Sequence, residues 1–573
     1  MIFQVGIVKS GLVIKLTLFL LLFALANSAN AQIVPPSNVE AGVLNKVNSE
    51  VKKTIDNQSN IHDLTNKTKK GESQDKFPET TFKLKEIKYS GNTLFSNEEL
   101  KKIDTGYIGK DVTLIDLKKI IKTITVLYND KGYITSFAYL PPQKIKNGIV
   151  QITILEGKVG KVNIEGNKWS NTSYLKNNLL KANGIKEGEF FNVNNLRRSL
   201  GEINEKDYLK GQVTLQKGGV AEDSDVTLSV KEKFPLSFTP SWDNKGRDLI
   251  GIQRANIGVG YNNLTGFGDR ITATTILARR TLGLGTSYTL PLGSYGTELQ
   301  FGYGYSNTSL GGTYKQYNIK GHSNRYTTTL IQPIYKGNRL TLKTDLSLDM
   351  INSTTNIYNT DIYQKYRTRP IRLGLNAIEN DSTGRLISRF EASTGIPWLG
   401  ATSDPAGHGV GSPKFVKFTQ NFIRLQNLPC KTFGIFSLTG QYSPNALLPV
   451  EQLEIGGMGS VRGYKEGCTL GDVGYYLNME LRRNIPYLPD KKYLRLKNKV
   501  QVATFYDQGF AHAVHQNRSE NYTNFLQGIG VGLRVYLTKF LSANLDLGVP
   551  LGKDRYSGQD GARFHFSISS NLF

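Results

Sequence analysis

Arg462 lies in a glycine-rich segment, Leu447–Gly463, between two strand-like runs in the last third of the chain. If its guanidinium points into the protein, it needs a carboxylate partner, because an unpaired buried charge is strongly unfavourable. The downstream run Val500–Asp507 alternates like a strand and offers Asp507 as that partner. Side chains two residues apart share one face of a strand, so Phe505 should lie on the same face as Asp507.

The residues before Arg462 suit a chain that turns back on itself. Glu451 is followed by Gly456 and Gly457, and glycine permits the backbone angles of a tight return path. Ordinary turn chemistry explains the same glycines equally well.

No signature of catalysis accompanies these residues. The six histidines are scattered, without HExxH spacing and without pairing with a cysteine. The sequence has no GxSxG elbow, Walker loop or paired-carboxylate signature. The glycines of Gly528–Gly532 continue into a strand-like run, so we interpret them as part of a strand and not as a nucleotide loop. We predict no enzyme, no metal site and no cofactor.

Two cysteines, Cys430 and Cys468, have no CxxC or metal-type spacing. They lie at opposite ends of a predicted hairpin. Two separate thiols and a disulfide are both compatible with an exported, oxidising compartment.

The composition favours a membrane protein built from strands. The chain has 573 residues, too many for one compact domain, and only 39% of them are hydrophobic. Glycine, tyrosine and phenylalanine are nonetheless abundant, which favours a membrane β-barrel over a disordered protein. The net charge of +24 comes from dispersed Lys and Arg residues. A basic barrel lumen, or loops that face lipopolysaccharide, explains this charge, and we predict no nucleic-acid binding.

Residues 1–31 have the features of a signal peptide. Lys9 and Lys15 precede the apolar run Leu16–Leu25, and Ala29 and Ala31 form an Ala-x-Ala cleavage site. The alternative is a membrane anchor, but the apolar run is short for one. We expect an exported protein that would cross a membrane with strands rather than helices.

Residues 32–56 predict an amphipathic helix, in which Ser37 and Glu40 form a capping box and apolar residues recur on one face. A local, frayed segment is the alternative. Residues 57–81 are rich in Asn, Lys, Ser and Thr and predict a linker.

Residues 82–157 and 158–235 repeat one pattern. The predicted strands Phe82–Ser90 and Lys158–Glu165 each precede a Gly-Asn dipeptide, two helical segments and two further strands. In the first unit, Ser96 and Glu99 form a capping box at the start of a helix. We therefore predict two consecutive β-α-α-β-β units.

Residues 236–573 contain alternating segments of about ten residues separated by turns, as in transmembrane β-strands. Examples are Glu298–Tyr305, Phe433–Tyr442 and Leu541–Leu547. The region accommodates about sixteen antiparallel strands, an even number that suits a closed barrel. A soluble β-sandwich is the alternative. The predicted fold class is thus α+β units followed by an all-β transmembrane barrel.

The chain ends in Phe573, and Phe564, Phe566 and Ile568 alternate before it. A terminal aromatic residue is what outer-membrane proteins present to the barrel-assembly machinery. The alternation drifts out of phase before Phe573, and a β-bulge would restore it.

Two short motifs carry a family resemblance. The first is Val-Arg-Gly-Tyr, at Val461, Arg462, Gly463 and Tyr464. The second is Phe-x-Asp, at Phe505 and Asp507. Together they resemble the motifs of two-partner secretion transporters (TpsB type), the hemolysin activator/secretion proteins of the POTRA-plus-β-barrel superfamily. The resemblance covers nearly the whole chain after the leader.

The resemblance implies an architecture for each part of the chain. Residues 82–157 and 158–235 would be periplasmic POTRA domains, and the helix 32–56 would plug the barrel pore. An extracellular loop, residues 446–470, would fold back into the lumen, where Arg462 would meet Asp507.

The resemblance also implies a location in the outer membrane and one large secreted exoprotein, with an N-terminal secretion domain, as partner. That exoprotein would be a hemolysin, an adhesin or a contact-dependent toxin. The transporter would be a monomer, would contact lipopolysaccharide and would depend on the barrel-assembly machinery for insertion. A barrel-assembly insertase and, from another class, a passive porin or receptor are the alternatives.

Overall fold

The computed structural model describes residues 81–573 except 182–184, 205, 207, 294–295, 338, 358–362, 403–410, 431, 486–489, 492–493, 496–499, 515–521, 538–539, 553–560 and 573. The predicted signal peptide, the helix 32–56 and residues 57–80 of the predicted linker lie outside the described residues, as does Phe573. Within the described part of the chain, no helix is both long enough and apolar enough to span a membrane.

The first repeat unit is a small sheet covered by two helices. Its elements are β1 (Phe82–Lys83), β2 (Glu86–Ser90), α1 (Asn97–Asp104), β3 (Asp111–Val112), α2 (Leu114–Asp130), β4 (Phe137–Tyr139) and β5 (Ile149–Leu155). The sheet order is β2-β5-β4, and the predicted capping box at Ser96 and Glu99 begins α1. The strand predicted over 82–90 is two strands, because the chain changes its pairing partner from β3 to β5.

The second unit repeats this arrangement. Its elements are β6 (Lys158–Glu165), α3 (Thr172–Lys181), α4 (Val193–Asn204), β7 (Leu209–Lys217) and β8 (Asp223–Glu232). The sheet order β6-β8-β7 matches that of the first unit, with one parallel and one antiparallel pair. Each unit has its own apolar core between the sheet and the helices.

The Gly-Asn dipeptides occupy equivalent turns in the two units. Gly91 has φ 83° and Gly166 has φ 81°, in the left-handed region that favours glycine. A Cβ atom on either residue would lie within 2.4 Å of a backbone carbonyl oxygen of the neighbouring strand. Asn92 and Asn167 each donate a side-chain hydrogen bond to the backbone three residues ahead. The repeat therefore includes the turn geometry as well as the order of elements.

A glutamate at the end of the last strand of each unit holds these turns, Glu156 buried in the first and Glu232 half-buried in the second. Glu156 accepts hydrogen bonds from the backbone N–H groups of Thr93 and Leu94, both at 2.9 Å. In the second unit, Glu232 accepts hydrogen bonds from the backbone N–H groups of Lys168, Trp169 and Ser170. Burial raises the pKa of Glu156, but the hydrogen bonds outweigh burial and hold the pKa below its usual value.

The remaining chain forms a closed antiparallel barrel. Its first strands are β9 (Leu236–Asp243), β10 (Arg254–Asn262), β11 (Arg270–Ala278), β12 (Thr281–Leu292), β13 (Thr297–Ser309), β14 (Ile319–Lys336), β15 (Leu340–Ile357), β16 (Tyr363–Thr368) and β17 (Pro370–Asn380). They are followed by β18 (Gly384–Gly395), β19 (Val416–Leu428), β20 (Thr432–Tyr442), β21 (Leu453–Ile455), β22 (Thr469–Gly471), β23 (Val473–Asn484), β24 (Asp490–Lys491), β25 (Leu494–Arg495), β26 (Val500–Ala513), β27 (Tyr522–Tyr536), β28 (Leu541–Pro550) and β29 (Arg563–Ser570).

The barrel has sixteen strands in the described part of the chain. The short hairpins β21–β22 and β24–β25 lie outside its wall. The segments β16 and β17 both pair with β15 and are two halves of one strand, interrupted at Arg369. The predicted fold class is therefore confirmed.

The C-terminal strand closes the barrel against β9. Ser567 pairs with Asp243, and Leu572 bridges to Phe238 in the same register. No bulge that would restore the alternation therefore occurs in this seam among the described residues. Phe564, Ile568 and Leu572 share the outward face although Ser570 interrupts the apolar pattern, because register is fixed by pairing with β9 and not by the apolar alternation.

The second unit contacts one end of the barrel. The backbone N–H of Asn171 donates to the carbonyl of Gly266, in the turn between β10 and β11, at 2.9 Å. The Tyr174 and Phe267 rings lie 6.3 Å apart across the same contact. Because hairpin turns alternate between the two ends of a barrel, the connection between β20 and β23 lies at the opposite end.

Cys430 and Cys468 do not form a disulfide. Cys430 is exposed at the turn between β19 and β20. Cys468 is half-buried in the long connection between β20 and β23, which extends into the barrel.

Candidate functional site

The connection between β20 and β23, residues 443–472, forms a loop inside the barrel. Within it, β21 and β22 pair as a short hairpin. Apolar residues of this loop pack against side chains of β23, β26 and β27 on the inner wall. That cluster consists of Leu453, Ile455, Val461, Tyr464, Tyr476, Ala511 and Leu526. The loop is thus held in the lumen by packing as well as by polar contacts.

Glycines allow the backbones of loop and wall to touch. Gly456, Gly457 and Gly463 have φ angles of 102°, 93° and 102°. On the wall, a Cβ atom at Gly528 of β27 would lie 2.1 Å from the carbonyl oxygen of Arg462. Any larger residue at Gly528 would displace the loop tip, so this glycine has a packing role in the lumen.

Arg462 at the loop tip meets Asp507 of β26. Its Nε donates to Asp507 Oδ2 at 2.7 Å and its Nη2 donates to Oδ1 at 2.9 Å. The backbone N–H of Arg462 also donates to Oδ2, at 3.0 Å. Asp507 is completely buried, and Asn478 of β23 donates to its Oδ1. This bidentate geometry fixes both the position and the orientation of the guanidinium.

The ring of Phe505 stacks against the same guanidinium. Phe505 shares the inward face of β26 with Asp507, and its ring centroid lies 3.4 Å from Cζ of Arg462. A planar guanidinium stacks on an aromatic face in a way that an ammonium group cannot reproduce. The Phe-x-Asp spacing therefore supplies both a carboxylate and a ring to one arginine.

Wall residues that the sequence motifs do not include extend the charge network. Arg462 Nη1 donates to Glu480 of β23 at 2.6 Å. Arg534 of β27 donates to Glu480 and forms an ion pair with Asp546 of β28 at 2.7 Å. Arg482 donates to Glu480 at 2.6 Å. With Asp507, the cluster has three cations and three anions, so its formal charges balance.

Val461, Gly463 and Tyr464 complete the contacts of the tip. Val461 and Tyr464 are fully buried, and the Tyr464 hydroxyl donates to the carbonyls of Gln527 and Gly552. The Gly463 N–H donates to Nε2 of His565 at 3.3 Å, which requires that nitrogen to be unprotonated.

Glu451 anchors the base of the loop with the opposite charge arrangement. Its carboxylate accepts from Arg372 of β17 at 2.6 and 3.1 Å and from Lys417 of β19 at 2.5 Å. At the tip a loop cation meets wall carboxylates, whereas at the base a loop carboxylate meets wall cations. Arg372 also donates to Asp349 at 2.9 Å.

The other wall residues of the charge network were not predicted from the sequence, because their spacing becomes informative only once the strand register is known. Glu480 and Arg482 are two residues apart and share the inward face of β23. Arg534 and Asp546 lie on different strands, so only the pairing of β27 with β28 brings them together. Among the described residues, no group of three or more His, Cys, Asp and Glu side chains could hold a metal ion.

Comparisons with known proteins identify the family. The family model described as "Haemolysin secretion/activation protein ShlB/FhaC/HecB" matches residues 222–535. This chain belongs to the ShlB/FhaC/HecB family. Residues 82–157 match "POTRA domain, ShlB-type", and residues 157–233 match "Surface antigen variable number repeat", a second POTRA model. The resemblance to two-partner secretion transporters is therefore confirmed.

Curated relatives are similar to this chain over most of their length. The heme/hemopexin transporter protein HuxB of Haemophilus influenzae (strain 86-028NP) is 24% identical over 494 residues, covering 83% of this chain and 84% of HuxB. The outer membrane transporter CdiB of Dickeya dadantii (strain 3937) is 25% identical over 485 residues, covering 82% and 83%. The solved structure of CdiB from Escherichia coli superposes with a TM-score of 0.69 at 20% identity, covering 92% of this chain and 97% of that chain.

Proposed function

We propose that this chain carries one large secreted partner protein across the outer membrane by two-partner secretion. Membership of the ShlB/FhaC/HecB family supports this proposal. The observation that carries it is the loop 443–472, whose tip is held in the barrel lumen by the buried contact between Arg462 and Asp507. A closed lumen with a removable obstruction is what a gated protein-conducting pore requires.

The POTRA domains would capture the partner before translocation. The strands β4 and β7 lie at the edges of their sheets, so each presents backbone groups for pairing. Phe137 and Tyr139 of β4 are also exposed, at 45% and 40%. Strand addition at such an edge tolerates varied sequences, because the main chain provides the hydrogen bonds.

Translocation would require the lumen to open in two steps. The predicted helix 32–56 would leave the pore, and the tip of the loop would move away from Asp507. The partner would then pass through and fold outside, and its folding would bias the movement outward. The partner would be a hemolysin, an adhesin or a contact-dependent toxin with an N-terminal secretion domain. No catalytic residue and no cofactor takes part in this mechanism.

The same proposal includes the remaining expectations from the sequence. Residues 1–31 would be removed as a signal peptide, the barrel-assembly machinery would recognise Phe573, and the mature protein would be a monomer in contact with lipopolysaccharide. Two rival functions make different demands. A barrel-assembly insertase would normally carry a different number of POTRA units, and a passive porin or receptor would need none.

The decisive experiment measures secretion of a large exported protein encoded beside this chain. Deleting the chain should trap that protein in the periplasm while the amounts of other outer-membrane barrels stay constant. Unchanged export with a general loss of barrels would indicate an insertase. Unchanged export with normal barrels would indicate a porin or receptor.

A further inference from the structure

The outward face of β14 and β15 changes from apolar to polar at one level. Tyr326 pairs with Met350, and both are exposed on the outer surface, at 46% and 36%. Beyond them toward the loop end, the outward pairs are Asn324 with Asn352 and then His322 with Thr354. Such a transition marks where the apolar band of a membrane barrel ends.

Cations continue this polar surface on the next strand. Arg367 of β16 pairs with Asn352, and Lys365 pairs with Thr354, so both occupy the same outward face. Both side chains are exposed. In the part of the chain that the structure describes, no carboxylate lies within ion-pair distance of either cation. The surrounding depression has a volume of about 390 Å³ and is lined by residues of β14, β15 and β16 together with Arg369.

Arg369 provides a fixed positive charge at the membrane side of this depression. It is only 5% exposed and donates to the carbonyls of Ile351, Thr368 and Leu399 and to the side-chain oxygen of Asn352. All four acceptors are uncharged. A guanidinium has five N–H groups, so one N–H of Arg369 has no acceptor among the described residues.

An apolar surface adjoins the cations. The carbonyl of Leu399 binds Arg369 directly, and the side chains of Trp398 and Leu399 are 68% and 55% exposed. Tryptophan is enriched where apolar and polar zones of a membrane meet. The site therefore has cations that could bind the anionic headgroup of a lipid. It also has an apolar surface that could contact the acyl chains of the same lipid.

We propose that this depression, which we call the rim site, binds the phosphate groups of lipopolysaccharide in the outer leaflet. Arg367 and Lys365 would contact a phosphate, and Arg369 would add a positive charge behind them. Acyl chains would lie against Trp398, Leu399 and the apolar band. The orientation follows from the contact of the second POTRA unit with the other end of the barrel. A single bound phosphate would satisfy the cations, but only a lipid would also use the apolar surface.

The test uses the purified full mature chain in a neutral detergent, titrated with bisphosphorylated lipid A and followed by native mass spectrometry. The variants are R367A and the double variant K365A/R367A, both at exposed positions. The control is R339A, which removes another exposed arginine from the turn between β14 and β15 at the opposite end. Dephosphorylated lipid A and inorganic phosphate serve as further probes.

We expect R367A to weaken binding of bisphosphorylated lipid A about tenfold, since a charge-assisted hydrogen bond contributes about that much. The double variant should weaken it further, and R339A should leave it unchanged. Equal binding by the double variant and the wild type would overturn the proposal, as would equal binding of dephosphorylated lipid A. Inorganic phosphate that binds as tightly as the lipid would show an anion site and would overturn lipid recognition. Partner secretion is measured separately, so failure here leaves the transport proposal intact.

Discussion

The barrel lumen and the first POTRA domain both bury carboxylates, but they satisfy them differently. In the lumen, Asp507 and Glu480 meet arginine side chains, and one of those arginines belongs to the inserted loop. In the POTRA domain, Glu156 accepts from backbone N–H groups and from the hydroxyl of Tyr128, all within one compact unit. The ionic contact of Asp507 with Arg462 therefore joins two parts that separate in the proposed mechanism, whereas the hydrogen bonds of Glu156 stabilise a single domain.

Because of this difference, mutations in the lumen and mutations in the POTRA domain should have different consequences. Breaking a contact in the lumen should change how readily the pore opens while the barrel stays folded through its strand pairing. Breaking the Glu156 contacts should change the stability of the first POTRA domain while the pore stays closed.

The largest effect is expected from a covalent lock between the loop and the wall. Cγ2 of Val461 lies 2.8 Å from the position of a Cβ atom at Gly509, so a cysteine sulfur in place of that methyl group would lie beside a cysteine side chain at position 509. In a background with C430S and C468S, the pair V461C and G509C should form a disulfide that abolishes partner secretion. Secretion assays with and without reductant provide the measurement.

The two single variants, V461C and G509C, are the controls for this lock, because each carries the same local change without the cross-link. Reductant should restore secretion only in the double variant. Normal secretion by the fully oxidised double variant would refute the movement of the loop tip.

The second effect comes from removing the carboxylate at the loop tip. D507N leaves Arg462 with Glu480, which Arg534 and Arg482 already share. Breaking a buried pair costs about 3–5 kcal/mol, so the open population should rise by about two to more than three orders of magnitude. Single-channel currents in planar bilayers measure that population.

D381N is the matched control for D507N, since Asp381 also pairs with an arginine, Arg424 at 2.6 Å, but lies in a half-exposed turn at the POTRA end. Exposed pairs contribute little, so D381N should keep the wild-type current. Equal currents for D507N and wild type would show that the ionic contact does not hold the loop.

A smaller change is expected at the base of the loop. E451Q removes the partner of Lys417, but Arg372 keeps its contact with Asp349 at 2.9 Å. We therefore expect an increase in open population below that of D507N, in the same current measurements. E379Q, which affects an exposed pair with Arg339 at 2.8 Å, is the control. A larger current for E451Q than for D507N would make the base, and not the tip, the principal contact of the loop.

The sequence predicted what local patterns encode. The β-α-α-β-β repeats follow from capping residues and apolar periodicity, and the barrel follows from two-residue alternation. Arg462, Phe505 and Asp507 are predictable from the sequence because they stand in short motifs. Local spacing could not reveal Glu480, Arg534 and Asp546, because four successive strands, β23, β26, β27 and β28, must pair in register before these side chains meet.

The same limit explains Glu451 and the C-terminal strand. The sequence indicates only a turn at Glu451, because its cationic partners Arg372 and Lys417 lie on strands far away in the sequence. A β-bulge that would restore the alternation before Phe573 does not occur in the described part of the seam, because pairing with β9 sets the register there. Long-range pairing, and not local composition, determines both the partners of Glu451 and the register of the C-terminal strand.

The smallest effect is expected in the first POTRA domain and depends on pH. Because hydrogen bonds hold the pKa of Glu156 below its usual 4.5, its carboxylate stabilises the folded domain above that pH. This stabilisation is lost as the pH falls through the lower folded-state pKa. E156Q should therefore reduce stability by about 1–3 kcal/mol at pH 7 and by much less in strong acid. Amide hydrogen exchange of residues 82–157 in the full chain, corrected for intrinsic rates, measures the difference.

E165Q is the control for E156Q, since Glu165 is an exposed glutamate at the end of β6. Its exchange should match the wild type at both pH values, and neither variant should alter the single-channel current. A larger current in E156Q would show that the POTRA domain and the lumen are coupled. The contrast between stiffening contacts and separable contacts would then fail, because a carboxylate far from the loop would also influence the pore.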